Sequence, residues 1–315
     1  MDCDPGLDDA VALLLALRSP EIDVVAATAV SGNLPARDTF GNMHRILEFA
    51  DRAEIRTGRG PDHPLVGRLS ADPFSHGPGG LGGHKFPEPK IPAAPAWAPE
   101  VICVMAAEYG PDLVLVTLGP LTNLALALKQ DPALPTKVSR LVMLGGNFGY
   151  GAHGWRNGTG DNPVSEWNLY VDPETAALVL QSGFQLTAVG LDAATDPRIN
   201  LTTQQLRQLH AAGAVGGFAA EMARFVEGRG FDNYCGLIDS VAVAAAVRPS
   251  LVTTETVRGG VEVSGHLTRG MTVVDQRHHH TWTDLALIDV ATSLDHGGFH
   301  ASLLERLGVR SRIQP

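Results

Sequence analysis

Cysteine is scarce in this chain. Its 315 residues hold three, Cys3, Cys103 and Cys235, far apart and odd in number. That excludes a disulfide framework and the paired spacing of a zinc site, and it fits a reducing cytoplasm. Each is expected as a small buried apolar residue. Aromatic residues are also few, at 6% against 44% apolar, so the core must be built from Val, Leu, Ile and Ala. There is no long basic run and the net charge is −10, which argues against a nucleic-acid or anionic-membrane partner. No apolar run reaches membrane-spanning length; "AVALLLAL" is a helix core at most. No signal peptide precedes it.

What is present is an alternation. "DAVALLLALRSP" has helical apolar spacing and stops at Pro20, and "IDVVAATAV" reads as a buried strand. "ARDTFGNMHRILEFADR" is helical again. "DLVLVTL" and "RLVMLGG" are continuous apolar runs separated by a helical "LTNLALALKQ", and "DPETAALVLQSG" followed by "FQLTAVGL" repeats the pattern. This predicts an α/β fold with an open, mostly parallel sheet flanked by helices, organised as a single domain over 1–315. "TTETVRGGVEVSG" and "GMTVVDQ" predict a small antiparallel hairpin near the C-terminus, and "HGGFHASLLERLG" a last helix. Residues 58–96 and 145–165 are rich in Gly and polar residues without period. Both follow probable strands, so both are expected to overhang the carboxyl ends, where such sheets bind ligands.

The chain opens "MDCDPGLDDAVALLLAL", with Asp2, Asp4, Asp8 and Asp9 within nine residues. Helix capping accounts for one or two of these acids. It does not account for the pair upstream of Pro5 and Gly6. Carboxylates this close stay protonated unless a cation neutralises them, and an all-oxygen donor set suits a hard divalent ion. The spacing is not that of an EF-hand, because Leu13 stands where the closing glutamate belongs. An Asp-x-Asp opening also marks phosphoryl-transfer enzymes, although the immediate Leu7-Asp8-Asp9 disfavours that reading.

Taken together, "DCDPGLDDAVALLLAL", "AVSGN", "SHGPGGLGG", "LVTLGPLTNLALAL", "LVMLGGN", "SEWNLYVDPETAA" and "LTRGMTVVD" resemble, in order, the motifs of the inosine–uridine-preferring nucleoside hydrolase family. The resemblance implies a bound Ca2+ at the carboxyl end of the sheet and hydrolysis of the N-glycosidic bond of a ribonucleoside. It implies Asp4 as metal ligand and general base, with Asp9, Asp239 and the carbonyl of Leu118 as further metal ligands. It implies Asp8, Asn33, Glu166 and Asn168 as ribose-binding groups, Asp2 as a support of the pocket, and His76 near the nucleobase. Outside that pattern, Asn33 would be a turn residue, Glu166 and Asn168 loop polar groups, and His76 an exposed loop histidine. His278-His279-His280 reads as a solvated loop, since three adjacent histidines do not face one ion on an extended chain. The partners implied are a small-molecule ribonucleoside and a second copy of the chain, as a homodimer or homotetramer.

Three departures stand out. Well-known members carry a histidine just before the last metal-binding aspartate, thought to protonate the leaving base; here it is Ile238. Replacement donors would be His76, Tyr234 or Arg229, or stacking by Trp155 or Phe231, or solvent acting at a purine ring nitrogen. A nucleoside- or ribose-binding protein with lost or altered turnover is the alternative this raises, beside a metal-dependent phosphohydrolase. Second, the asparagine usual before the ribose glutamate is Gly160, and a one-residue shift would let Asp161 or Asn162 replace it; Asn162 is the substrate-binding candidate. Leu144 also stands where some members have a methionine. Third, the family precedes the acidic motif with several apolar residues forming a central strand. Met1 leaves almost none of it, so the expectation is a natural start upstream of Met1.

Overall fold

The computed structural model describes residues 1–69, 73–92, 94–151, 154, 156–279 and 282–309. The strands are β1 (Asp2–Cys3), β2 (Ala26–Ala29), β3 (Arg56–Arg59), β4 (Ala96–Trp97), β5 (Val114–Thr117), β6 (Arg140–Leu144), β7 (Leu186–Val189), β8 (Val252–Val261), β9 (Thr272–Asp275) and β10 (Leu287–Leu294). The short apolar runs read as strands become β2, β5, β6 and β7, and helices cover them. They form one sheet in the order β4-β3-β2-β1-β5-β6-β7-β10-β8-β9. Pairing is parallel from β4 through to β10, and antiparallel from β10 to β8 and β8 to β9.

The main helices are α1 (Leu7–Leu17), α2 (Ala36–Phe49), α3 (Ala98–Tyr109), α4 (Thr122–Gln130), α5 (Trp167–Val171), α6 (Pro173–Leu180), α7 (Thr203–Ala211), α8 (Ala214–Gly228), α9 (Ile238–Val247) and α10 (His296–Arg306). One apolar core joins α1, α2, α8 and α9 to one face of the sheet, through Leu13, Leu14, Met43, Phe218 and Val241. A second core on the opposite face is built by α3, α4 and α6, through Met105, Leu124 and Val179. Burying a Leu or Phe side chain contributes about 2 kcal/mol each, so these two layers fix the sheet between them.

The predicted open parallel sheet with its C-terminal hairpin is the observed one. Three strands went unread in the sequence, the first of them β3, whose RTGR has no apolar run. β4 is two exposed residues, and β10 mixes Asp289, Thr292 and Ser293 with its apolar positions. β10 nevertheless lies inside the sheet, parallel to β7 and antiparallel to β8.

The chain order places a crevice. From β1 the chain winds one way through β2, β3 and β4, then returns to lay β5 on the other side of β1. Loops leaving the carboxyl ends of β1 and β5 therefore diverge, which opens a ligand-sized gap at that switch point.

Candidate active site

A cavity of about 450 Å³ lies at this switch point. The start of α1 gives it Leu7, Asp8 and Asp9, and the segment after β2 gives Asn33. The ends of β5 and β6 give Leu118 and Leu144, and the turn after β7 gives Leu191 and Thr195. The start of α9 gives Ile238 and Asp239. Both long irregular segments reach it, with Ser75 and His76 from the first and Arg156 to Thr159 from the second.

The acidic opening does two jobs. Asp9 accepts N–H bonds from Asp4 at 3.1 Å and Gly6 at 3.0 Å, so it does cap the turn into α1. It also lies beside Asp8 and Asp239: one oxygen from each of these carboxylates falls within 4.8 Å of the others. Asp9 and Asp239 are buried, and Asp8 is half-buried. Burial first, then neighbouring carboxylates, push Asp9 and Asp239 well above the usual carboxylate range. Converging, desolvated oxygens of this kind suit a hard divalent cation. The donor set therefore fits such an ion, with the Leu118 carbonyl on the same cavity wall.

Asp4 sits behind this cluster. It is 1% exposed and does not line the cavity. Its Oδ2 accepts the Asn33 N–H at 2.6 Å, while the Asn33 amide donates to the Asp4 carbonyl at 3.2 Å and to Asp9 Oδ2 at 3.3 Å. Burial, then the charge of Asp9, push Asp4 far above its ordinary value. Gly32 and Gly119 leave it room: a Cβ at either would fall 2.0 Å and 2.4 Å from its carboxylate oxygens. Beneath it, Asp2 accepts from Thr28 Oγ1 at 2.6 Å and Asn123 Nδ2 at 2.8 Å, and burial raises it to about 6.

The opposite wall is equally ordered. Glu166 caps α5, accepting from the N–H groups of Asn168 and Leu169, and takes a third bond from Gly146 at 3.1 Å. Burial raises it to about 7 against these three bonds. Asn168 Nδ2 donates to the carbonyls of Leu118 at 2.6 Å and Leu144 at 3.3 Å. His76 Nδ1 accepts the Leu7 N–H at 3.3 Å and lies 3.5 Å from Asp8 Oδ1.

The family model of the inosine-uridine preferring nucleoside hydrolases matches residues 1–301. The chain belongs to that family. The pyrimidine-specific ribonucleoside hydrolase RihA of Escherichia coli O7:K1 is 35% identical over 313 residues, covering 98% of this chain and 97% of that protein. A plant nucleoside hydrolase, PpNRh1, superposes with a TM-score of 0.85 at 32% identity, covering 98% of each chain. A purine-preferring ribonucleoside hydrolase from Gardnerella vaginalis does so with a TM-score of 0.85 at 29% identity, over 98% of this chain and 97% of that one.

In this nucleoside hydrolase, Asp8, Asp9, Asn33, His76, Leu118, Glu166, Asn168 and Asp239 all meet at one cavity. Asn162 does not. Its amide donates to Arg269 O at 2.8 Å, and its Oδ1 accepts from Val164 N and Ser165 Oγ, so it pins its own loop and faces away. Gly160 has no space to take its place, since a Cβ there would lie 2.1 Å from Ser165 Oγ. Arg156, Asn157 and Thr159 are the polar residues of this loop that line the cavity. Nothing in the sequence singles them out, because a Gly-rich loop has no period from which direction can be read.

Two further expectations are corrected. Cys103 and Cys235 are only half-buried, unlike Cys3, and Cys235 lines the cavity. Ile238, Tyr234 and Phe231 line it too, whereas Arg229 stacks over the Phe225 ring at 5.0 Å. Trp155 lies outside the described residues. His278 and His279 are exposed, and His280 also lies outside the described residues.

Proposed function

We propose that this enzyme hydrolyses the N-glycosidic bond of ribonucleosides, releasing free base and ribose, at a Ca2+ site of Asp9, Asp239 and the Leu118 carbonyl that Asp4, packed directly behind Asp9 and Asn33, completes. The single observation that carries the reading is the convergence of buried carboxylates from α1 and α9 at one end of a cavity whose other walls are amide- and hydroxyl-bearing. Held by these residues, a calcium ion would supply positive charge and make an adjacent water easier to deprotonate.

The chain's own residues account for the rest. Asp8, Asn33, Glu166 and Asn168 offer donors and acceptors in fixed directions to a polyhydroxylated sugar. Fixing sugar and water in one geometry removes much of the entropic barrier. As the C1′–N bond lengthens, positive charge grows on the ribose ring, and the surrounding carboxylates stabilise it. Asp4 takes the proton from water as its oxygen bonds to C1′, and the bonding pair leaves with the base. The reaction suits nucleoside salvage.

The test is product analysis with inosine, uridine, adenosine, guanosine, cytidine and nicotinamide riboside. Ribose release from at least one, abolished in Asp4→Asn, is the expected result. No release from any of them contradicts the reading.

A further inference from the structure

An N-glycosidic bond that breaks heterolytically leaves an electron pair on the departing nitrogen. A base attached through a neutral nitrogen leaves as an anion unless it takes up a proton. A base attached through a quaternary ring nitrogen leaves as a neutral molecule and needs none.

The cavity wall is poorly equipped for the first case. Ile238 opens α9, directly before Asp239, and has no proton to give. Arg156 offers guanidinium N–H groups that serve as hydrogen-bond donors. Burial pushes the Tyr234 phenol up and the Cys235 thiol up to about 12, so both keep theirs. His76 Nδ1 meets the Leu7 N–H at 3.3 Å and lies 3.5 Å from Asp8 Oδ1, so that nitrogen is held at the turn into α1.

The same cavity is well equipped for the second. Asp8, Asp9, Glu166 and Asp239 line it, against Arg156 as the one Lys or Arg among the described lining residues. Trp167, Phe231 and Tyr234 line it as well, and aromatic rings attract a flat cation. We infer that the preferred substrates are ribosides of cationic bases, either ribosyl pyridiniums or ribosides of N-alkylated purines. The step balances without a dedicated acid. The oxygen of water bonds to C1′, and the bond to the quaternary nitrogen breaks with its pair going to that nitrogen. Water yields one proton, so cationic riboside plus water gives ribose, neutral base and a proton.

This inference rests on the hydrolysis proposed above, and the experiment separates the two. Turnover of nicotinamide riboside, 7-methylguanosine, inosine and uridine is measured with the wild-type protein and Ca2+. The expected result is a kcat at least tenfold higher for each cationic riboside than for either neutral one. A smaller ratio overturns the inference and leaves the hydrolase reading standing; no ribose from any of the four overturns both. Ile238→His places a proton donor at the wall. It is expected to raise turnover of inosine and uridine at least tenfold relative to that of nicotinamide riboside. An equal effect on all four, or none on the neutral pair, contradicts the inference. The wild-type comparison stands alone if that variant does not fold.

Discussion

Asn168 Nδ2 donates to the carbonyl oxygen of Leu118 at 2.6 Å, joining the first turn of α5 to the end of β5. The same nitrogen reaches the Leu144 carbonyl at the end of β6. One amide thus satisfies two buried carbonyls at the carboxyl edge of the sheet, and one of these is the proposed metal-ligating group. Asn168→Ala leaves both without that donor. It is expected to cost about 2 kcal/mol in stability, measured by urea denaturation, and to lower kcat/KM about 100-fold.

Gly119 tests the placement of Asp4 without touching its chemistry. A Cβ there would lie 2.4 Å from Asp4 Oδ1 and 2.7 Å from Val30 Cγ1, so the carboxylate must shift. Displacement of a catalytic base by about 1 Å costs roughly 100-fold in rate. Gly119→Ala is expected to lower kcat by that order while KM changes less, as read from steady-state kinetics.

The buried carboxyls set a pH dependence with a definite sign. Asp2 and Glu166 are raised to about 6 and about 7, and Asp4, Asp9 and Asp239 are raised as well. Between roughly pH 4 and 7 the folded chain therefore binds more protons than the unfolded one. Its stability is full below about pH 4 and is lost as pH rises through the folded values. With chelator present, Tm is expected to fall from pH 5 to pH 8. Saturating Ca2+ favours the ionised forms and is expected to flatten or reverse that slope in a thermal-melt series.

Much of this architecture is legible in the sequence, and the reasons are local. Leu7–Leu17 announces itself by apolar spacing behind an acidic turn, and β5, β6 and β7 are continuous apolar runs buried by helices on both faces. β10 is not legible, since its polar positions hide an interior strand that only its partners β7 and β8 define. The site follows the same division. The aspartates around α1 are readable because four acids in nine residues demand a cause. The wall at Asn157 is not, because its direction is set by a distant contact with Thr195 Oγ1 at 2.9 Å.

That contact belongs to a clamp. Asp192 accepts the N–H groups of Phe148 at 2.7 Å and Tyr150 at 2.6 Å, while Thr195 holds Asn157. The turn after β7 therefore grips the cavity-lining loop at both ends. Asp192→Asn turns one acceptor into a donor facing a backbone N–H, at a cost of about 1–3 kcal/mol. KM is expected to rise about tenfold with kcat changed less, because the wall loosens while the carboxylate cluster stays in place.

The central claim is that one divalent cation, gathered by the carboxylates of α1 and α9, serves hydrolysis of a ribonucleoside. Its most direct test is ribose release from the riboside panel before chelation, after chelation, and after Ca2+ is restored. The account predicts release that stops with chelator, returns with Ca2+, and is absent under all three conditions in Asp239→Ala. Undiminished release in the chelated protein, or in Asp239→Ala, would contradict it.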